Sequence, residues 1–426
     1  MSLKIRLIIM NFLQFAVWGA YLTSMSRYLG PAGLGSHIGI FYSVQGIVSI
    51  FMPAVMGILA DRWVPAQKLL GICHLLAATF MLAAGLYGLN TGTGVSFPVI
   101  FTLYTLSVAF YMPTLALSNS VAYTILERGG MDTVKAFPPI RVFGTVGFIC
   151  TMWLVDVIGY QTSAMQFVVS AIIGLVLGVY AFTLPNCPVS TDTKDKTLFQ
   201  ALGLDAFKLF KQRKMALFFI FSMFLGVSLQ ITNGFANPFI ASFEALPQYA
   251  NTFGVQHANI LISLSQISEA FCILLIPFFM KRYGIKNVML IAMFAWVLRF
   301  GLFGLANPGN GVWLLILSML VYGVAFDFFN VSGSLFVDKE TPHHIRASAQ
   351  GLFMLMTNGI GATIGTLGAQ WVVNQFTHWQ DVVVNGQTKS LMVGDWQSVW
   401  FIFAGYALLI AILFALLFPY KHVREN

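Results

Sequence analysis

Apolar runs long enough to cross a membrane recur along almost the whole chain, and this recurrence restricts the fold more than any other sequence feature. About 20 helical residues cross the hydrocarbon core of a bilayer. Runs of that length lie approximately at residues 7–27, 37–60, 69–89, 98–125, 137–159, 163–184, 214–243, 255–280, 286–306, 312–337, 346–373 and 397–418. The sequence therefore predicts an all-α integral membrane protein of twelve transmembrane helices, named spans 1 to 12.

The composition agrees with this prediction and excludes a soluble protein. Charged residues make up 9% of the 426 residues and hydrophobic residues 58%, whereas soluble domains carry about 25% charged residues. The twelve spans leave only short loops and no room for a large soluble domain. Motifs of the type GxxxxGK[ST], HExxH and GxSxG are absent from the sequence. The chain is therefore predicted not to be an enzyme and to use no cofactor or metal.

The basic residues predict the orientation of the chain. Nineteen of its 23 Lys and Arg residues fall in one alternating set of loops, and the opposite set receives only Arg27 and Lys389. Basic residues near the ends of spans stay on the cytoplasmic side. Both termini are therefore expected to be cytoplasmic. The net charge of +8 then reflects topology, and no nucleic-acid partner is expected.

A polar segment between spans 6 and 7 divides the chain into two halves of six spans each, and a weak internal repeat relates the halves. We predict an N-terminal half at 1–184, a cytoplasmic linker at 185–213 and a C-terminal half at 214–426. Gln14 and Gln230 lie mid-span at an offset of 216 residues, and Ser43-Val44-Gln45 in span 2 matches Leu264-Ser265-Gln266 in span 8. Duplicated halves are typical of transporters that bind substrate near the bilayer midplane between the halves, and we expect this arrangement.

Four charged residues lie more than one helical turn inside the predicted ends of the apolar spans: Arg141, Glu269, Arg299 and Asp327. Arg141 follows Pro138 and Pro139, which are expected to begin span 5. A charge at the bilayer centre costs a few kcal/mol or more, so each marks either a static ion pair or a function. For Arg299, whose sequence neighbours are apolar, the static role is favoured. For Glu269 and Asp327 a function is favoured, because other polar groups accompany them at helical spacing.

Spans 5, 7, 8 and 10 each carry a polar or aromatic stripe. The members of each stripe are adjacent or lie three, four or seven residues apart. They are Arg141, Thr145 and Phe148 in span 5, Gln230 and Asn233 in span 7, Gln266 and Glu269 in span 8, and Phe326 and Asp327 in span 10. Amides, a guanidinium, carboxylates and rings suit a neutral polyhydroxylated ligand with a flat ring. Glu269 and Asp327 are the candidates for proton coupling, because a carboxylate in a low-dielectric site can change protonation as the site opens. A proton-coupled symporter of a sugar or other small polyhydroxylated solute remains an alternative, and so does a non-transporting sensor or a channel.

Three further polar or aromatic residues carry weaker signals. Gln14 and Trp18 lie four residues apart on span 1, which leaves both ligand contact and packing open, with packing the commoner role of such an aromatic residue. His74 in span 3 is predicted to be a hydrogen-bonded structural residue, because a lone histidine more often has that role than that of a proton relay.

Several motifs resemble a known family. Gly57 and Asp61-Arg62 before span 3 resemble the G-x-x-x-D-R loop of the major facilitator superfamily, although its downstream glycine and basic cluster are reduced to Pro65 and Lys68. More specific runs are FLQFAVWG (12–19), FPPIRVFGTVGF (137–148), LGLDAF (202–207), LQITN (229–233), SQISE (265–269), RYGIKNVM (282–289), YGVAFDFFNVSGS (322–334), IRASAQG (345–351) and KHVR (421–424). Together they resemble the nucleoside:proton symporter family over nearly the whole chain, with the weakest similarity at 375–396.

The resemblance implies a major facilitator fold that imports nucleosides with protons by alternating access. It further implies a monomer in the cytoplasmic (inner) membrane of a bacterium, whose partners are a nucleoside, protons and the lipid bilayer. The positions that match the family's nucleoside site, each with the family's residue type, are Arg141, Thr145, Phe148, Gln230, Asn233, Gln266, Glu269, Phe326 and Asp327.

Overall fold

The computed structural model describes residues 2–189, 204–342 and 346–420, and these are mostly helical. Fourteen α-helices are named in chain order: α1 Leu3–Gly19, α2 Met25–Leu29, α3 Ile38–Arg62, α4 Ala66–Thr91, α5 Phe97–Arg128, α6 Thr133–Val157, α7 Met165–Ala181, α8 Arg213–Ser242, α9 Phe253–Gln256, α10 Ala258–Leu305, α11 Val312–Glu340, α12 Arg346–Met354, α13 Ala362–Phe376 and α14 Trp396–Leu417. Short 3₁₀ or π segments lie at Gly30–Leu34, Gly35–His37, Tyr160–Thr162, Leu204–Lys211, Phe243–Ala245 and Leu355–Gly361.

The described helices account for twelve membrane crossings. Nine helical segments of the described part are long and apolar enough to cross a membrane. One of them, α10, has 48 residues and contains two spans. The apolar helices α1 and α7 have 17 residues each, which makes each about 25 Å long. The predicted twelve-helix membrane architecture is therefore confirmed.

Spans 8 and 9 meet without a loop. Two helical stretches of α10 meet at a kink at Gly284, whose φ of 76° and ψ of 168° are not helical. Glycine adopts this positive φ without the clash that a Cβ would cause. Gly284 therefore reverses the chain direction where the sequence predicted a short loop.

The start of span 5 differs from the prediction. Pro138 and Pro139 were expected to begin the helix, but α6 begins at Thr133 and contains both prolines. The backbone carbonyl of Asp132 accepts from the Ala136 amide, and its carboxylate accepts from the Lys135 amide. This capping starts the helix early. Pro138 and Pro139 have no amide N–H, so they leave the carbonyls of Val134 and Lys135 without their usual helical donors.

A β-hairpin occupies the loop before α14, where no strand was expected. Strand β1, Thr377–Val384, pairs antiparallel with β2, Gln387–Gly394. Asn385 and Gly386 form the two-residue turn with φ of 50° and 78°, as a type I′ turn requires. The all-α membrane architecture holds, and the hairpin is an addition in one loop. The Asn-Gly pair beside β-branched residues is its local signal.

An ion pair joins the hairpin to the segment after α8. Lys389 Nζ lies 2.6 Å from Glu244 Oε2, and the Glu244 side chain is only 1% exposed whereas that of Lys389 is 32% exposed. The carboxamide of Asn385 also donates to Asn251. Val384 and Leu391 pack against Ala241 and Ala250 in a small apolar cluster. The hairpin is thus fixed to the segment that follows α8.

Replacing Lys389 by Met should lower the free energy of unfolding by about 1–3 kcal/mol, because it removes the ammonium partner of a buried carboxylate. Thermal unfolding in detergent measures the change. Lys135→Met is the matched control: its partner Asp132 is 3.7 Å away and both side chains are mostly exposed, so the expected loss is below about 0.5 kcal/mol. Equal losses in the two variants would contradict a stabilising role of the Lys389 pair.

The chain forms two compact units. The first comprises Met1–His37 and Ile47–Leu202, and the second comprises Ile38–Gly46 and Gly203–Asn426. The predicted boundaries at 184 and 214 stay a prediction, because much of the linker 185–213 lies outside the described residues. The side chains of Asp61 and Arg62, the loop motif, also lie outside the described part.

Close approach of helix backbones holds each unit together. In the first unit, a Cβ on Gly147 of α6 would lie 2.1 Å from the carbonyl oxygen of Phe12 in α1. In the second, a Cβ on Gly226 of α8 would lie 2.2 Å from the carbonyl oxygen of Thr357. Small residues allow this spacing in membrane helices, where packing replaces the hydrophobic effect as the force between helices.

Candidate functional site

Three of the nine predicted site residues follow one another along α6 in the first unit. Arg141 and Thr145 are half-buried and Phe148 is buried. The Arg141 guanidinium carbon lies 3.9 Å above the ring centroid of Phe15 in α1. Gly144 makes this stacking possible, because a Cβ there would lie 2.6 Å from the Phe15 ring and 2.8 Å from Arg141 Nη1. The cation is thus held against an aromatic face, which suits a charge in an apolar setting.

Phe148 belongs to an aromatic group that includes residues outside α6. Its ring meets that of Trp18 edge-on at 6.4 Å, and Trp18 lies 6.1 Å from Tyr111 of α5. The backbone of α1 also contacts Phe148 directly, since a Cβ on Gly19 would lie 2.3 Å from the Phe148 carbonyl oxygen. The position of Phe148 is therefore set by α1 as well as by its own helix, and α5 contacts the Trp18 ring that Phe148 meets.

The predicted amides of the second unit include a hydrogen-bonded pair. In α8, Asn233 Nδ2 donates to Gln230 Oε1 at 2.9 Å. This bond fixes both carboxamides and leaves the Gln230 NH₂ group and the Asn233 carbonyl oxygen as the remaining donor and acceptor. In α10, Gln266 Oε1 is a buried acceptor that receives no hydrogen bond from the described residues. The unit thus presents both donors and acceptors to a ligand.

The two predicted site acids, Glu269 and Asp327, lie on helices of the second unit that touch closely. Ser268 donates to the carbonyl of Leu320, and a Cβ on Gly323 would lie 2.6 Å from the Ser268 carbonyl oxygen. Glu269 follows Ser268 on α10, and Asp327 lies one turn after Gly323 on α11. Both carboxylates interact electrostatically with Tyr322. The structure therefore brings Glu269, half-buried, and Asp327, 4% exposed, to one part of the unit.

An aromatic stack borders these acids. Tyr322 and Phe326 lie one turn apart on α11, with rings 5.6 Å apart and nearly parallel at 4°. The Trp296 ring meets Tyr322 edge-on at 5.9 Å. Phe326 is half-buried, so part of the ring remains open for stacking on a flat ligand.

Arg299 is hydrogen-bonded by residues of two other spans, which cannot be inferred from its neighbours in the sequence. Its Nη1 donates to the Ser318 carbonyl at 2.7 Å and to Ser265 Oγ at 3.3 Å, and its guanidinium carbon lies 4.7 Å from the Tyr322 ring centroid. Sequence reasoning found no polar group beside Arg299, because Ser265 and Ser318 lie far away along the chain. These contacts join spans 8, 9 and 10. Arg299 is thus held by a hydroxyl, a carbonyl and a ring, and its static role stays a prediction.

His74 is hydrogen-bonded as predicted. Its Nε2 lies 2.7 Å from Gln14 Oε1, and both side chains are fully buried in the first unit. A small cavity of about 10 Å³ lies beside His74 and Tyr111, which is space for about one water molecule. It is too small for a substrate of the predicted kind.

Comparison with known proteins assigns the chain to a family. The family model for the nucleoside H⁺ symporter matches residues 1–423. The chain belongs to the nucleoside H⁺ symporter family. It is 48% identical to the nucleoside permease NupG of Escherichia coli over 429 residues, which span 100% of this chain and 98% of that protein. It is 46% identical to the xanthosine permease of Escherichia coli over 430 residues, with the same coverage.

Solved structures support the same fold. A crystal structure of the nucleoside transporter NupG matches with a TM-score of 0.87 at 46% identity and covers 99% of this chain and 100% of that one. A D-xylose–proton symporter matches with a TM-score of 0.67 at 15% identity over 98% of both chains, and this likeness concerns the fold alone. The chain is a multi-pass membrane transporter of the nucleoside H⁺ symporter family, with the major facilitator fold.

Proposed function

We propose that the chain imports nucleosides together with protons, by alternating access, across the cytoplasmic membrane of a bacterium, with both termini cytoplasmic and as a monomer. Membership of the nucleoside H⁺ symporter family carries the proposal. The half-buried Glu269 and the buried Asp327, on helices that also carry Gln266 and the stacked rings of Tyr322 and Phe326, support it. A proton-coupled transporter of a hydroxylated aromatic ligand needs these groups.

Each candidate residue has a proposed role. Gln230, Asn233 and Gln266 bond the ribose and the base, and Thr145 adds a hydroxyl. Phe148 and Phe326 stack on the base or line the side of its binding site. The proton-coupled step belongs to Glu269 or Asp327, and Arg141 supplies a positive charge to the site. The free Gln266 acceptor and the fixed Asn233–Gln230 pair support the first of these roles, since preorganised amides lose little entropy on binding.

The deciding experiment is uptake of labelled uridine into proteoliposomes that contain the purified protein and carry an imposed pH gradient, alkaline inside. We expect saturable accumulation against the uridine gradient, abolished by a protonophore. Unlabelled nucleosides should compete, whereas xylose, maltose and sucrose should not. Competition by sugars alone would replace the proposal with a sugar symporter, and uptake that never exceeds equilibration would exclude proton coupling.

A further inference from the structure

A buried hydrogen-bond network surrounds Gln14 in the first unit, and the donors and acceptors of its side chains can be assigned. The Thr114 hydroxyl donates to the Tyr111 carbonyl at 2.5 Å, so its oxygen accepts from Gln14 Nε2 at 2.7 Å. Gln14 Oε1 therefore faces His74, and His74 Nε2 carries the proton in their 2.7 Å bond. Span 1 is thereby tied to α4 and α5 at one point inside an apolar core.

The same network reaches the aromatic wall of the proposed site. The Tyr111 hydroxyl donates to the Gln14 backbone carbonyl at 2.8 Å. The Tyr111 ring contacts His74 at 5.9 Å on one side and Trp18 at 6.1 Å on the other. Trp18, one helical turn after Gln14, meets the Phe148 ring edge-on at 6.4 Å. Gln14 and Tyr111 thus determine where Trp18 lies, and Trp18 supports Phe148.

We propose that Gln14, held by His74 and Thr114, is a positioning residue for substrate, which sets the Trp18–Phe148 aromatic wall and through it the selectivity between purine and pyrimidine nucleosides. The inference rests on the proposed function, since it takes Phe148 as part of the nucleoside site. Neither Gln14 nor His74 needs to touch the ligand. A shift of the wall by a fraction of an ångström changes the fit of a one-ring and a two-ring base to different extents, because packed rings tolerate little change in spacing.

The test compares kcat/KM for uridine and for adenosine in proteoliposomes. Gln14→Leu keeps the approximate volume and removes the network. We expect the uridine-to-adenosine ratio to change about five- to tenfold, mainly through KM, as for the loss of one or two buried hydrogen bonds. Thr114→Val, which removes the hydroxyl at constant shape, should shift the ratio in the same direction. Thr114→Ser, which restores the hydroxyl, should return the ratio to the wild-type value.

Gln166→Leu is the matched control. Gln166 is a fully buried glutamine of the same unit that bonds Ser24 and the carbonyls of Gln161 and Ser163. Its loss should lower the unfolding temperature and leave the selectivity ratio unchanged. If Gln14→Leu and Thr114→Val lower the unfolding temperature without changing the ratio, the network is only structural and the inference fails. Wild-type protein that transports no nucleoside would instead refute the proposed function.

Discussion

Glu269→Gln should abolish proton-coupled accumulation of uridine while uridine exchange across the membrane continues. Gln keeps the shape and hydrogen-bonding capacity of the side chain but cannot take up a proton at neutral pH. One coupled charge crossing a potential of 100 mV supplies about 2.3 kcal/mol, which supports roughly 50-fold accumulation. Without coupling the internal concentration should only equal the external one. Uridine-driven alkalinisation of the medium and counterflow of labelled uridine measure the two activities.

One further variant, Asp327→Asn, decides between the acids. If coupling survives Glu269→Gln, the proton-carrying role moves to Asp327, and Asp327→Asn should then remove it. Coupling that survives in both variants would contradict the assignment of the proton to either acid. Glu340→Gln is the control, because Glu340 pairs with Lys214 where both side chains are about 30% exposed. That variant should accumulate uridine as the wild type does.

Gly147→Leu should destabilise the first unit by about 3 kcal/mol or more. A Cβ at this position would lie 2.1 Å from the Phe12 carbonyl oxygen, and a backbone atom cannot move aside as a flexible side chain can. Overpacking of a close-packed core typically costs 1–3 kcal/mol, and here whole helices must separate. We expect a large fall in the unfolding temperature in detergent, together with poor yield.

Gly405→Leu provides the comparison for Gly147→Leu. Gly405 is a helical glycine of α14 with nothing within 4 Å of an added Cβ, so an apolar side chain there has open space. Its unfolding temperature should match that of the wild type or exceed it, because leucine favours a helix by about 1 kcal/mol over glycine. Equal effects of the two substitutions would show that close α1–α6 packing does not limit stability.

Features that depend on neighbours along the chain could be predicted well. The twelve crossings follow from the length of the apolar runs, and Gln230 and Asn233 could be paired because a spacing of three places them on one helical face. The β-hairpin carries a local signal too, in Asn385-Gly386, but hydropathy does not distinguish this loop from an irregular one.

Features that depend on the rotation and depth of whole helices could not be predicted. Arg299 was expected to have only apolar neighbours, yet Ser265 and Ser318 bind it from other spans. Pro138 and Pro139 were expected to begin span 5, whereas the capping by Asp132 moved the start of the helix to Thr133.

The sequence alone therefore determined the number of spans, the residue types inside the membrane and the family resemblance, because hydropathy and helical periodicity are properties of consecutive residues. Only the tertiary structure decided that Gln14 joins His74 to Thr114 and that Trp18 lies against Phe148. Those contacts join helices 60 to 130 residues apart in the chain, and their geometry depends on how closely glycine-bearing helices pack. Patterns of consecutive residues do not predict that packing, because it depends on which faces of neighbouring helices contact each other.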